Sequence, residues 1–280
     1  MAAPVCTLLI EAESGEALAR QGAQCETRNS PASTFKIALA LMGYDAGILS
    51  EAHAPAWPYR PEYGHAMANW GNIVDPTGWL RDSVVGYWRE ITRRLGAARF
   101  QRYVDDLNYG NRDLSGDPGE NNGLANAWLG SSLKISPLEQ TAFLRRLLSS
   151  QLLVSKEAMD RTEAIMPQFP LPDGWTAYGK TGTGFQPGPQ GAPDRERQFG
   201  WFVGWAQKGA RRVVFARLLK DEAKNDEYAG PRARQRAGRS AAPSGGAVRG
   251  SRPAAVMTRS WRGLSDRPTR SSSPPRRAAR

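Results

Sequence analysis

Residues 29–47 read NSPASTFKIALALMGYDAG, which sets Lys36 among Phe35, Ile37, Leu39 and Leu41 in an otherwise apolar helix. Whatever this chain folds into must accommodate a lysine in apolar company. Desolvation disfavours the ammonium and leaves a neutral amine, which is a base or a nucleophile rather than a cation. Ser33 stands three residues earlier, close to one helical turn, so Ser33 and Lys36 point to the same side. At a helix start Ser33 is ordinarily an N-cap. Next to a neutral lysine, where backbone N–H groups and the helix dipole favour developing negative charge, it is also the start of an activated-serine site.

Nothing in the chain supplies a more familiar base. The two histidines, His53 and His65, lie in EAHAPAW and EYGHAMAN, and there is no Gly-x-Ser-x-Gly elbow to pair with them. A Ser-His-Asp triad through His65 is the weaker reading. Two His and two Cys without metal-ligand spacing give no reason to expect a metal. Walker and dinucleotide glycine patterns are absent.

Residues 5–22 read as a two-strand hairpin. From 31 to about 165 the pattern is mostly helical, as in Val85–Trp88–Ile91–Leu95, broken by a Gly/Asn/Asp/Pro-rich loop at 105–127. Strands return at YGKTGTG (178–184), RQFGWFVGWAQ (197–207) and RRVVFARLLK (211–220), with QKGA turning between the last two. Phe199, Trp201, Val203 and Trp205 alternate and define one strand face. These elements predict one antiparallel sheet built from both ends of the chain, packed against a helical middle.

Three further motifs follow Ser33-Thr34-Phe35-Lys36 in order: Ser83-Val84-Val85, Tyr109-Gly110-Asn111 and Lys180-Thr181-Gly182. Each alone is weak. A Tyr-Gly-Asn triplet is an ordinary turn, and Lys-Thr-Gly an ordinary strand edge. Together, in this order, they resemble the class D serine β-lactamases, the oxacillinase-type enzymes, over roughly residues 5–232. Trp128 in AWLGSSLKIS stands where that family has a tryptophan after its active-site loop.

The resemblance implies an α/β fold of the α+β type, the penicillin-recognising serine transferase/β-lactamase fold. This is a five-stranded antiparallel sheet flanked by helices, plus an all-helical subdomain over about residues 40–165. It also implies β-lactam hydrolysis through an acyl-Ser33 intermediate. Lys36, carboxylated by CO₂, would activate Ser33 and later the deacylating water. Trp128 Nε1–H would bond the carbamate, Ser83 would relay a proton to the β-lactam nitrogen, and Val85 would cap the lysine pocket. Backbone N–H groups of Ser33 and Thr183 would form the oxyanion hole. Lys180 and Thr181, next to Gly182, would hold the substrate carboxylate, with Arg232 of GPRAR assisting. Tyr109, Gly110 and Asn111 shape a loop. No other cofactor is implied, and the location implied is periplasmic or secreted. A β-lactam-sensing receptor domain that stays acylated is the alternative, followed by a DD-peptidase or an inactive relic.

The net charge of +11 invites a nucleic-acid reading, which fails once the charge is located. Residues 231–280 hold thirteen of the 38 basic residues and one of the 27 acids, so the other 230 residues carry 25 basic and 26 acidic side chains. We therefore read residues 1–232 as the catalytic domain and 233–280 as an Arg/Ser/Pro-rich tail too poor in large apolar residues to order itself. It is either an evolved basic tail or a GC-rich gene read out of frame. It carries no amphipathic pattern for the helix with which relatives cover the sheet, which leaves Phe199 and Trp201 short of cover.

No run of 18 apolar residues is present, so no membrane helix is expected. MAAPVCTLLI has no basic n-region and does not read as a signal peptide. A regular hairpin centred on Gly15–Glu16 sets Cys6 opposite Cys25, within disulfide reach; two ordinary buried thiols are the alternative, and both readings stay open.

Overall fold

The computed structural model describes residues 4–60 and 73–235. His65 and the segment 236–280 lie outside the described residues. The main sheet is six-stranded and antiparallel: β1 (Pro4–Glu11), β2 (Ala17–Gln21), β5 (Gln168–Pro170), β6 (Thr176–Pro187), β7 (Pro193–Lys208) and β8 (Arg211–Lys220), in the order β2-β1-β8-β7-β6-β5. It has one strand more than the five expected, because three residues after the helical region pair with the start of β6 at Gln168↔Tyr178 and Pro170↔Thr176. So short a strand has too little alternation to be read from sequence. The first and last strands in sequence meet where β1 pairs β8, Leu9 opposite Phe215. A two-stranded ribbon, β3 (Trp57–Pro58) and β4 (Ile73–Val74), stands apart.

The helical part consists of α1 (Lys36–Asp45), α2 (Pro76–Asp82), α3 (Val85–Asp106), α4 (Gly123–Asn126), α5 (Pro137–Leu148) and α6 (Lys156–Ala164). α3 breaks at Gly96, whose φ of 69° lies in the region that glycine tolerates best. Its first half buries Trp88, Ile91 and Leu95, the periodic residues seen in the sequence. α5 starts on a capping box, Ser136 accepting from Glu139 N while the Glu139 carboxylate accepts from Ser136 N.

β7 is buried on both faces. Phe199, Trp201, Val203 and Trp205 join the large core beneath the helices. Phe202 and Ala206 pack on the opposite face with Leu9, Phe215 and Leu219. The expectation that Phe199 and Trp201 would be short of cover is therefore corrected. They face the helical domain, and the face that depends on a terminal helix is that of Phe202 and Phe215. One short helix, α7 (Ala229–Gln235), packs there with Ala233 buried. It starts against Gly200, where any Cβ would meet the Ala229 carbonyl at 2.1 Å. α7 spans position 232, the expected end of the catalytic domain.

Cys6 and Cys25 are joined in a disulfide with Cα atoms 5.0 Å apart. The hairpin register, Thr7↔Gln21 with a bulge after Leu9, is not the one centred on Gly15–Glu16. Cys25 lies in the loop beyond β2, and the chain curls back to reach Cys6.

Candidate active site

Ser33 sits in a 3-10 turn, Ala32–Phe35, that leads directly into α1. The turn begins at Ala32 with φ 48°, a left-handed conformation that costs energy for a residue with a Cβ. Tertiary bonds hold it in place. Ser30 Oγ donates to the Trp128 carbonyl at 2.7 Å, Ala32 N to the same carbonyl at 3.0 Å, and Trp201 Nε1 to the Ser30 carbonyl at 2.9 Å. Beneath the turn, the buried Gln140 donates to Thr34 Oγ1 at 2.9 Å, and Thr34 Oγ1 donates to the Pro31 carbonyl at 2.7 Å. Gln140 is a positioning residue that the sequence did not reveal, since it is 106 positions away from Thr34.

Lys36 is 2% exposed, and its Nζ donates to Ser33 Oγ at 2.9 Å. Burial, aided by the neighbouring Lys180, drives its ammonium well below the usual lysine range. The neutral amine expected from Phe35 and Ile37 thus has a physical cause.

Ser83 ends α2 in a left-handed conformation, φ 60°, which turns its hydroxyl towards β6. Lys180 Nζ donates to Ser83 Oγ at 2.6 Å and to the Thr181 carbonyl at 3.0 Å. Lys180 is 2% exposed; its pKa is lowered to about 7 by burial, with Asp82 opposing. Val85, half-buried, begins α3 immediately beyond.

β6 runs past the nucleophile so closely that a Cβ on Gly182 would stand 3.0 Å from the Pro31 carbonyl and 3.2 Å from Ser33 N. A side chain there would push the nucleophile turn by a few tenths of an ångström, so glycine is favoured by space, not by backbone conformation. Thr183 Oγ1 accepts from Gly230 N at 2.9 Å, which ties the next residue of β6 to α7.

Trp128 is fully buried in an aromatic cluster, with ring centroids 5.1 Å from Phe35, 4.8 Å from Trp88 and 5.8 Å from Phe100. Its Nε1–H has no hydrogen-bond partner among the described residues. A buried donor left unbonded costs about 1–3 kcal/mol, so an acceptor belongs there. Tyr109 is also fully buried, edge-on to Phe35 and Phe143 at 5.1 Å each, and burial raises its pKa. Gly110, at φ 57°, lies where a Cβ would meet the Lys134 carbonyl at 2.1 Å. Asn111 clasps both sides of the loop: its Nδ2 donates to the Ser132 carbonyl at 2.8 Å, and its Oδ1 accepts from Lys134 N at 2.8 Å.

Arg232 takes a different place from that expected of a substrate ligand. Both its terminal nitrogens are bound to the Asp221 carboxylate, Nη1 at 2.9 Å and Nη2 at 2.5 Å, and Nε donates to the Glu227 carbonyl. Arg234 instead lines the cleft beside Lys180 and Thr181. Helical spacing could have signalled this. Position 234 lies one turn beyond Gly230, which touches β6, whereas 232 projects to another side. His53 bonds Asp75, the N-cap of α2, at 2.7 Å.

The family profile described as the penicillin binding protein transpeptidase domain matches residues 5–240. Over 231 residues the chain is 44% identical to β-lactamase OXA-9 of Klebsiella pneumoniae, covering 82% of this chain and 84% of that protein. The chain belongs to the class D serine β-lactamases. Class D β-lactamase OXA-427 superposes with a TM-score of 0.77 at 44% identity, covering 83% of this chain and 94% of its own. β-Lactamase OXA-1 of Escherichia coli is 39% identical over 216 residues, 76% of this chain and 75% of that protein. As a class D β-lactamase the chain is a hydrolase of the β-lactam amide bond, an activity that confers antibiotic resistance.

Proposed function

We propose that this chain hydrolyses penicillin-type β-lactams through an acyl-Ser33 intermediate with N-carboxylated Lys36 as general base. The observation that carries this reading is the 2.9 Å contact between Ser33 Oγ and the buried Nζ of Lys36. Carbamylation requires a neutral amine, and burial provides one. The unbonded Nε1–H of Trp128, whose ring packs on Phe35, fits a carbamate acceptor in the same cluster.

When bound, the CO₂-derived group supplies a carboxylate-like base at the end of the Lys36 side chain. The remaining work falls to the protein. Ser33 Oγ attacks the lactam carbonyl as its proton leaves towards Lys36. Ser33 N–H and Thr183 N–H donate to the developing oxyanion, for which their preorganisation is the main advantage. Ser83, held by Lys180 at 2.6 Å, passes a proton to the departing lactam nitrogen. Lys180 and Thr181 hold the ring carboxylate, Val85 caps the lysine pocket, and the Tyr109-Gly110-Asn111 loop backs the site. The reading also takes the protein to be periplasmic or secreted.

The test is nitrocefin hydrolysis in degassed buffer, with and without bicarbonate. Turnover should rise with bicarbonate, and Lys36→Ala should lower kcat by roughly 10²–10⁴-fold, the usual contribution of a general base. No bicarbonate effect at limiting CO₂ counts against the carbamate. A stable penicillin adduct without turnover favours the sensor reading.

A further inference from the structure

The cleft at the Lys180 end of β6 is larger and more cationic than one ring carboxylate requires. Its volume is about 500 Å³, and it reaches from Thr181 to α2 on one side and α7 on the other. Three cations line it: Lys180, Arg81 and Arg234. No Asp or Glu lines it among the described residues. Arg81 is paired with its neighbour Asp82, at 2.9 and 2.7 Å, which offsets part of its charge. Arg234 has no carboxylate partner among the described residues; its guanidinium lies over the Phe169 ring at 4.5 Å. Ile165, Met166 and Phe169 form an apolar wall on the same cleft.

We propose that this cleft is a second anion subsite that selects cephalosporins whose C3 substituent is a flat, negatively charged ring. This rests on the substrate orientation proposed above. With the lactam carbonyl between Ser33 and Thr183 and the ring carboxylate at Lys180 and Thr181, a substituent beyond that carboxylate continues towards Arg234 and Arg81. A planar ring suits the half-buried Phe169 and the Arg234 guanidinium that lies over it, and its charge meets Arg234, which no carboxylate occupies among the described residues. Lys180 is engaged by Ser83, so the arginines rather than the lysine distinguish a second charge.

The test uses Ser33→Ala protein, which cannot be acylated, and two cephalosporins with one acyl side chain. Cefotaxime carries a neutral acetoxymethyl group at C3, and ceftriaxone an acidic triazinedione. Calorimetric titration at low salt should give about tenfold tighter binding of ceftriaxone, the factor expected of one partly solvated ion pair. The preference should shrink at 0.5 M salt, disappear in Arg234→Ala and fall less in Arg81→Ala. Equal affinity for the two compounds overturns the proposal. So does a preference that survives both substitutions, or an Arg234→Ala variant that weakens both compounds alike, since that arginine then grips the common carboxylate. The salt dependence needs no cleft substitution and decides the matter if a variant fails to fold. Nitrocefin turnover by the protein with Ser33 intact reports the hydrolytic reading separately. A chain that prefers ceftriaxone without turning over nitrocefin refutes that reading and keeps the subsite.

Discussion

At the residue scale the site is governed by two buried lysines with different partners. Among the described residues Ser33 is the only hydrogen-bond acceptor of Lys36, and the adjacent Lys180 further disfavours its charge. Lys180, lowered to about 7, keeps two acceptors and a carboxylate, Asp82, that favours its charge. Below pH 7 Lys180 is an ammonium and attracts a substrate carboxylate; above it the amine is neutral and the attraction is lost. In the free enzyme kcat/KM should therefore decline as pH rises through about 7. Lys180→Arg, whose guanidinium stays charged, should remove that alkaline limb even if the absolute rate drops. A kcat/KM profile for ampicillin from pH 5.5 to 9 checks this, and an unchanged limb in the variant sinks it.

At the element scale α7 matters beyond its seven residues. Its Gly230 N–H holds Thr183 on β6, and Gln198 accepts from Ala229 N while donating to the Asn225 carbonyl. The anchor is the Arg232–Asp221 pair, whose side chains are 12% and 3% exposed. Removing one member of so buried a pair strands the other charge, at a cost of about 3–5 kcal/mol. Arg232→Ala should thus lose about 3 kcal/mol in urea unfolding and, by loosening Thr183, lower kcat more than it raises KM. Asp221→Leu combined with Arg232→Met should recover much of that stability. If Arg232→Ala is as stable as the parent but raises KM alone, the guanidinium contacts substrate and the anchoring role is wrong.

At the scale of the whole molecule two features bear on survival of the fold. The disulfide joins β1 to the loop that leads into the nucleophile turn, across a separation of 19 residues. A loop of that size gives about 3 kcal/mol. Cys6→Ala with Cys25→Ala, or reduction of the parent, should lower stability by that order, as read in denaturant midpoints; identical midpoints would dismiss the bridge as a stabiliser. The second feature is the sheet face of Leu9, Phe202, Phe215 and Leu219, to which α7 contributes the small side chain of Ala233. Replacing residues 236–280 by a relative's terminal helix should raise the Tm by at least about 3 °C, the shift that 1 kcal/mol gives in a domain of this size. Equal melting and equal activity in the two chains would show that the segment costs nothing.

What the sequence determined by itself was local. One helical turn separates Ser33 from Lys36, and Phe35 and Ile37 flank the lysine, so the contact and the neutral amine follow from spacing and polarity. Strand alternation in 197–220 and the helical period of Val85–Leu95 likewise report geometry that neighbouring residues share. Tertiary structure decided the rest. Lys180 meets Ser83 across 97 positions, and Gln140 supports Thr34 across 106. The hairpin register shifted at a bulge, yet Cys25 still reached Cys6. Arg232 turned to Asp221 while Arg234 took the cleft, two residues apart on a helix that composition had cut through. Periodicity encodes which side of an element a residue occupies. Which element that side meets is set by how the sheet and helices close on one another, and that depends on every packed residue at once.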